Sequence, residues 1–266
     1  MRKLRNLKTI VIKVGTNTLT DAKGKLDTKF IQGISKQIKK LKHKGKSIIL
    51  VSSGAIGAGK NSLKIRGKVR DVSLRQVCAA IGQDLLMQQW RKSFSKHRIN
   101  VAQVLLTYDN FTTSSVYRNL TNAIDKLLKL GVIPIINEND VISIEEINTS
   151  FGDNDRLSAL VATNMDADIL IMLSDVKGLY TKNPRKYRDA RLIREVARIT
   201  PKIESMAGTA SKGGAGGMRS KVAAAKTCTG EGITVIITDG RQKEVLTRLI
   251  GGEDLGTIFM PKKTRR

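Results

Sequence analysis

Cysteine is nearly absent from this chain: Cys78 and Cys228 stand alone, with no CxxC pair. Two isolated thiols cannot build a disulfide framework, so a reducing compartment is expected. Histidine is equally scarce, and His43 and His97 lack metal-ligand spacing, which excludes a histidine-based zinc centre; no metal-ligating residue is assigned. Long apolar runs are missing too. The best, residues 48–51 and 169–173, fall far short of the ~20 residues of a membrane helix. A basic start (Arg2, Lys3, Arg5, Lys8) is followed by an apolar stretch broken at Lys13, so no signal-peptide core forms and cytoplasmic residence is expected. Aromatic residues are 4% of the chain and nowhere interleave with arginine, unlike the stacking platforms that bind single-stranded nucleic acid. There is no internal repeat, proline-rich linker or low-complexity tract.

Acidic residues are in the minority, 23 against 48 Lys and Arg, for a formal net charge of +25. Such an excess attracts polyanions through counterion release, and a basic nucleic-acid-binding module is one alternative reading. The basic residues are nevertheless spread along the chain, with short clusters only at 36–46 and 262–266. A solvated lysine-rich surface is the expectation, without a nucleic-acid or membrane partner. Hydrophobic residues at 40% and charged residues at 27% describe a globular protein, and 266 residues suffice for a sizeable core.

β-branched runs at 9–14, 47–52, 101–106, 132–137, 169–173 and 233–238 read as strands. Between the first two, Phe30, Ile34, Ile38 and Leu41 recur at helical spacing. Leu120, Ile124, Leu127 and Leu128 repeat that pattern before Gly131, and a further helix begins at 222–225 and stops near 230–232. Such alternation predicts right-handed crossovers and a mostly parallel sheet covered on both faces. Residues 141–152 interrupt it with the apolar–polar switching of a hairpin. One continuous sheet with two lobes, dividing near Leu170, is expected.

In open α/β sheets ligands bind beyond the carboxyl ends of the strands, and several of these ends carry unusual residues. The first ends Lys13-Val14-Gly15-Thr16-Asn17. An ammonium in an apolar strand is costly unless paired or facing a ligand. The second ends Ser52-Ser53-Gly54-Ala55-Ile56-Gly57-Ala58-Gly59, small residues whose amides suit an anion. Gly54, Gly59 and Lys60 have Walker spacing, but Asn61 replaces the magnesium-holding hydroxyl, which rejects that motif. The fourth ends Asn137-Glu138-Asn139-Asp140, and Gly152-Asp153-Asn154-Asp155 follows. These clusters suit helix capping, an amino group, the ordering of lysines, or magnesium. Finally, Lys212-Gly213-Gly214-Ala215-Gly216-Gly217-Met218-Arg219-Ser220-Lys221 runs into a helix, with Lys221 about one turn inside, as a polyphosphate requires. Two lysines on different junctions plus an acidic cluster point to phosphoryl transfer, in which catalysis is mainly positioning and charge stabilisation. The residues alone end at an ATP-dependent small-molecule kinase or a related phosphate-binding enzyme.

The stretches VIKVGT (11–16), VSSGAIGAG (51–59), QVLLT (103–107), INENDV (136–141), FGDNDRLSAL (151–160), LSDVKGLYTKNP (173–184) and GGAGGMRSK (213–221) resemble the amino acid kinase family, and within it the branch acting on glutamate. The resemblance implies a three-layer αβα sandwich with a mostly parallel sheet of about eight strands. It implies phosphorylation of the L-glutamate side-chain carboxylate by ATP with Mg2+, the first step of proline biosynthesis; a related member acting on another carboxylate is the alternative. Carried over by motif, Lys13, Lys221 and Asp155 would be catalytic. Ser53, Asp140, Asn154 and Asn137 would bind glutamate. Lys13, Ser174, Asp175 and the stretch Ala215, Gly216, Gly217, Met218, Arg219, Ser220 and Lys221 would bind ATP. Ser174 stands where threonine is common, which keeps the hydroxyl. A single kinase domain is expected over 1–266, with a glutamate lobe to about 170 and an ATP lobe from 171. The PUA domain that many relatives carry is not expected. A homo-oligomer (dimer or tetramer) is implied, as is hand-over of the product to glutamyl phosphate reductase.

Overall fold

The computed structural model of the chain describes residue 4 and residues 7–21, 24–143, 154–208 and 217–262. In chain order the elements are β1 (Thr9–Val14), α1 (Thr16–Leu19), α2 (Thr28–His43), β2 (Ser47–Ser52), α3 (Ala55–Ser62), α4 (Val72–Ser95), β3 (Val101–Leu106), a 3-10 turn (Tyr108–Phe111), α5 (Ser114–Lys129), β4 (Ile133–Glu138), α6 (Asn154–Asn164), β5 (Ile169–Ser174), β6 (Glu195–Val196), α7 (Pro201–Met206), α8 (Met218–Gly230), β7 (Thr234–Asp239), α9 (Val245–Ile250) and β8 (Thr257–Phe259). The strands form one eight-stranded sheet in the order β3-β4-β2-β1-β5-β7-β8-β6. Every neighbouring pair is parallel except β7 with β8. The expected αβα architecture is therefore present.

The strands read as continuous apolar runs because both faces are covered. Successive strand residues point to opposite sides. Ile10, Ile12, Ile48, Leu50, Ile169 and Ile171 pack against Ile31, Ile34 and Ile38 of α2 and Leu86, Trp90 and Phe94 of α4. The alternate residues Val11, Ile49, Val51, Leu170 and Met172 pack with Leu157 and Val161 of α6 and Val222 and Ala225 of α8. Trp90 and Phe94 are fully buried, and truncating either costs about 3–5 kcal/mol in a core of this kind. Asp27 and Asp71 cap α2 and α4 by accepting from Phe30 N at 3.0 Å and Leu74 N at 2.6 Å.

The residue patterns gave no sign of α4, β6 or β8, and one helix boundary differs from the expectation. The 24-residue α4 has no clear apolar stripe, because its buried side includes Gly82, Gln83 and Ser93 as well as large residues. Strands β6 and β8 are two and three residues long, too short to leave a pattern. Helix α8 begins at Met218, a turn earlier than 222, with Gly217 as its N-cap. Of the hairpin expected over 141–152, residues 144–152 lie outside the described residues. Residues 141–143 form a turn in which Ile142 N and Ser143 N donate to the Asn139 carbonyl.

The position of α4 matters for the site. A Cβ on Gly82 would lie 1.8 Å from the Ala55 carbonyl oxygen, and one on Gly59 would lie 1.8 Å from that of Cys78. Helices α3 and α4 thus cross backbone to backbone, which brings α4 against the turn that follows β2.

Candidate active site

Strands β4, β2, β1, β5 and β7 run parallel, so their carboxyl ends line one edge of the sheet. Chain direction away from β1 reverses there, since β2 lies on one side and β5 on the other, leaving a crevice. The amide of Ser53 donates to the Val14 carbonyl at 3.1 Å and that of Gly15 to Leu173 at 3.2 Å, tying three strand ends together.

Lys13, on β1, is buried and its ammonium lies 2.6 Å from Asp155 Oδ1. Lys221, in the first turn of α8, is also buried, and its Nζ lies 3.0 Å from Asp155 Oδ2. The Ser220 hydroxyl donates to the same oxygen at 2.6 Å. Two cations from distant parts of the sequence therefore meet on one fully buried carboxylate. Burial by itself would raise the Asp155 carboxyl, but the charges of Lys13 and Lys221 outweigh it and hold the group far below the ordinary carboxylate range. Its place in the first turn of α6 adds a favourable helix dipole.

Beside this triad runs a chain of buried amides. Asn154 Nδ2 donates to Ser53 Oγ and to Asn137 Oδ1, both at 2.9 Å. Asn137 Nδ2 donates in turn to Gln83 Oε1 at 2.8 Å. Asp140 is buried two residues beyond β4, and Glu138 accepts from the Ser143 hydroxyl at 2.7 Å. At the end of β5 the Ser174 hydroxyl donates to Asp175 Oδ1 at 3.3 Å, and Asn17 from the β1 end donates to Asp175 Oδ2 at 3.2 Å. Gly217, Met218 and Ser220 are partly exposed at the start of α8 and Arg219 is exposed, while Ala215 and Gly216 lie outside the described residues.

The described residues of the expected site thus fall at adjacent strand and helix ends, with Lys13, Asp155, Ser220 and Lys221 in direct contact and Ser53, Asn137 and Asn154 in a second connected group. Gln83 was not foreseen. It sits on a helix with no local motif, and only the α3–α4 crossing brings it to the site. A depression of ≈ 520 Å³ opens beside Asn17, lined also by Thr20, Asp21, Asp27 and Arg241. Its two carboxylates suit a phosphate chain poorly, and neither lysine of the triad lines it.

Residues 8–239 match the model of the amino acid kinase family. The chain belongs to the amino acid kinase family. Among family relatives, the chain is 48% identical over 252 residues to a glutamate 5-kinase of Methanococcoides burtonii, covering 94% of this chain and 67% of that protein. It is 46% identical over 267 residues to a glutamate 5-kinase of Clostridium perfringens, covering 99% of both. A carbamate kinase from Giardia lamblia bound to AMP-PNP superposes with a TM-score of 0.68 at 21% identity, covering 96% of this chain and 99% of that one. A UMP kinase from Bacillus anthracis does so with a TM-score of 0.65 at 16% identity, covering 96% and 97%. At such identities the two structures speak for the fold alone. No helix among the described residues is long and apolar enough to cross a membrane.

Proposed function

We propose that this amino acid kinase transfers the γ-phosphoryl group of ATP to the side-chain carboxylate of L-glutamate, giving L-glutamyl 5-phosphate and ADP. The observation that carries the reading is the convergence of Lys13 and Lys221 on Asp155. Support comes also from glutamate 5-kinases that share 46–48% of the sequence.

In the reaction a carboxylate oxygen of glutamate forms a bond to Pγ while the bond from Pγ to the β,γ-bridging oxygen breaks, and ADP leaves with that electron pair. The nucleophile is already ionised at neutral pH, so no general base is required. Catalysis reduces to alignment and to stabilising charge on the migrating group. Lys13 acts from the glutamate side and Lys221 from the ATP side. Asp155, held anionic, keeps both ammoniums charged and in place. Ser53, Asp140, Asn137 and Asn154 bind glutamate; Ser174, Asp175 and residues 215–221 bind ATP. The glutamate-binding part spans about 1–170 and the nucleotide-binding part about 171–266.

Magnesium is expected to accompany the nucleotide. Among the described residues no three His, Cys, Asp or Glu side chains gather as a metal site, and the Asp155 oxygens are engaged by ammoniums. These residues do not fit a resident protein-held ion. The product is a labile mixed anhydride, suited to immediate use by glutamyl phosphate reductase in proline synthesis. Cytoplasmic residence and a dimer or tetramer complete the reading.

A hydroxamate or coupled ADP-release assay across glutamate, aspartate and acetylglutamate tests it. Glutamate should rank first by at least about tenfold in kcat/KM. Preference for either other acid would replace the substrate assignment. Absence of phosphoryl transfer to all three, with salt-sensitive retention of nucleic acid, would overturn the kinase reading.

A further inference from the structure

Two serines at the end of β2 face opposite sides of the sheet. Ser52 lies in step with Ile48 and Leu50, on the side covered by α4, and is fully buried there. Ser53 meets the side-chain amide of Asn154, on α6, at 2.9 Å. On the α4 side Trp90 Nε1 donates to Ser52 Oγ at 2.9 Å, and Ser52 Oγ donates to the Ser53 carbonyl at 3.3 Å. Chemistry fixes the direction of this relay. An indole N–H can only donate and a carbonyl can only accept, so the single hydroxyl proton between them goes to Ser53.

The carbonyl held in this way belongs to a peptide with two accessible orientations. Gly54 follows it with φ at 106°. Rotating the Ser53–Gly54 peptide by about 180° brings Gly54 to a negative φ, which a glycine accepts equally well. Such a rotation exchanges the places of the Ser53 carbonyl and the Gly54 N–H, because the two point opposite ways across a planar trans peptide. It would also re-aim the backbone that carries Ser53 into α3. Backbone preference at Gly54 does not choose between the orientations; the bond from Ser52 does, and Trp90 holds the Ser52 hydroxyl in place to make it.

We propose that Trp90 is a positioning residue: through Ser52 it holds the Ser53–Gly54 peptide in the orientation that presents Ser53 to the amino-acid substrate. The inference rests on reading Ser53 as a glutamate contact. It predicts a defect in glutamate binding rather than in ATP binding or phosphoryl transfer, because Lys13, Asp155 and Lys221 contact one another outside this relay.

Steady-state kinetics on the full chain test it with two variants. Trp90→Phe deletes the indole N–H and keeps an aromatic ring to pack on Phe94. Ser52→Ala deletes the hydroxyl and leaves the aromatic core intact. Each should raise KM for glutamate about tenfold, as for loss of one hydrogen bond to a charged group, with kcat and KM for ATP within about twofold. Both changes break the same relay, so the double variant should show that same rise of about tenfold, whereas independent routes would multiply to about a hundredfold. A general loosening of the core would raise both KM values together. Should Trp90→Phe fail to fold, Ser52→Ala alone decides. A glutamate KM raised less than about threefold in either folded variant overturns the proposal, as does an equal rise in both KM values or a multiplied rise in the double variant. A parent protein that phosphorylates no glutamate refutes the functional reading instead, and the two failures are distinct.

Discussion

Replacing Asp155 by asparagine keeps the shape of the site and deletes the negative charge that both lysines contact. Both ammoniums that contact this carboxylate are almost wholly buried, with side-chain exposures of 5% for Lys13 and 6% for Lys221. They would lose the carboxylate that both contact. Two like charges ~6 Å apart at an effective dielectric of ~20 repel by roughly 3 kcal/mol. Removing one partner of a buried ion pair generally costs about 3–5 kcal/mol, and here one carboxylate serves two cations, so the upper part of that range is expected. Each kcal/mol lowers Tm by about 2–4 °C in a chain of this size, so Asp155→Asn should melt ~10 °C or more below the parent. Circular-dichroism melts measure this directly. Saturating ATP supplies the missing negative charge, so it should raise Tm more in the variant than in the parent. Turnover should nevertheless fall by about 100-fold or more, because bound ATP does not restore the lysine geometry. The pH dependence fixes the sign. The folded-state pKa of Asp155 is depressed, so its contribution is fully present above the unfolded-state value near 3.8 and is lost as pH falls through the folded value. The gap in Tm between parent and variant should therefore hold from pH 7 to about 4 and narrow below that. Equal melting temperatures at pH 7, or a smaller ATP shift in the variant, would refute the reasoning.

Lys221→Met should reduce turnover by orders of magnitude while leaving glutamate affinity within a few-fold, and near-parental turnover would remove Lys221 from the mechanism. Gly82→Ala forces a methyl to within 1.8 Å of the Ala55 carbonyl, so the α3–α4 crossing must open. A loss of about 1–3 kcal/mol in chemical denaturation, together with a raised KM for glutamate, is the expected result. Burial pushes the Cys228 thiol up to about 12, and it should resist iodoacetamide in the folded protein at pH 8 and react once denatured.

How much of this was legible beforehand depends on the range of each interaction. Six strands were located to within one residue at each end, because strands buried on both faces are marked by local runs of Val, Ile and Leu. The short β6 and β8 carry too few residues for any run. Helix α2 announced itself through Phe30, Ile34, Ile38 and Leu41, whereas α4 is buried on several sides and mixes Gly82, Gln83 and Ser93 into its packed surface.

The sequence by itself determined which groups are available for chemistry: a lysine inside an apolar strand, an Asn/Asp cluster, and a glycine-rich entry to a helix bearing a second lysine. Those are properties of neighbouring residues, and propensity and solvation cost expose them locally. Only the tertiary structure decided that Lys13 and Lys221 share one carboxylate, and that Gln83 reaches Asn137 across a crossing of two glycine-faced helices. A hydrogen bond or ion pair is made within about 3 Å, and nothing in the order of residues along a chain encodes that distance until the sheet has brought its strand ends together.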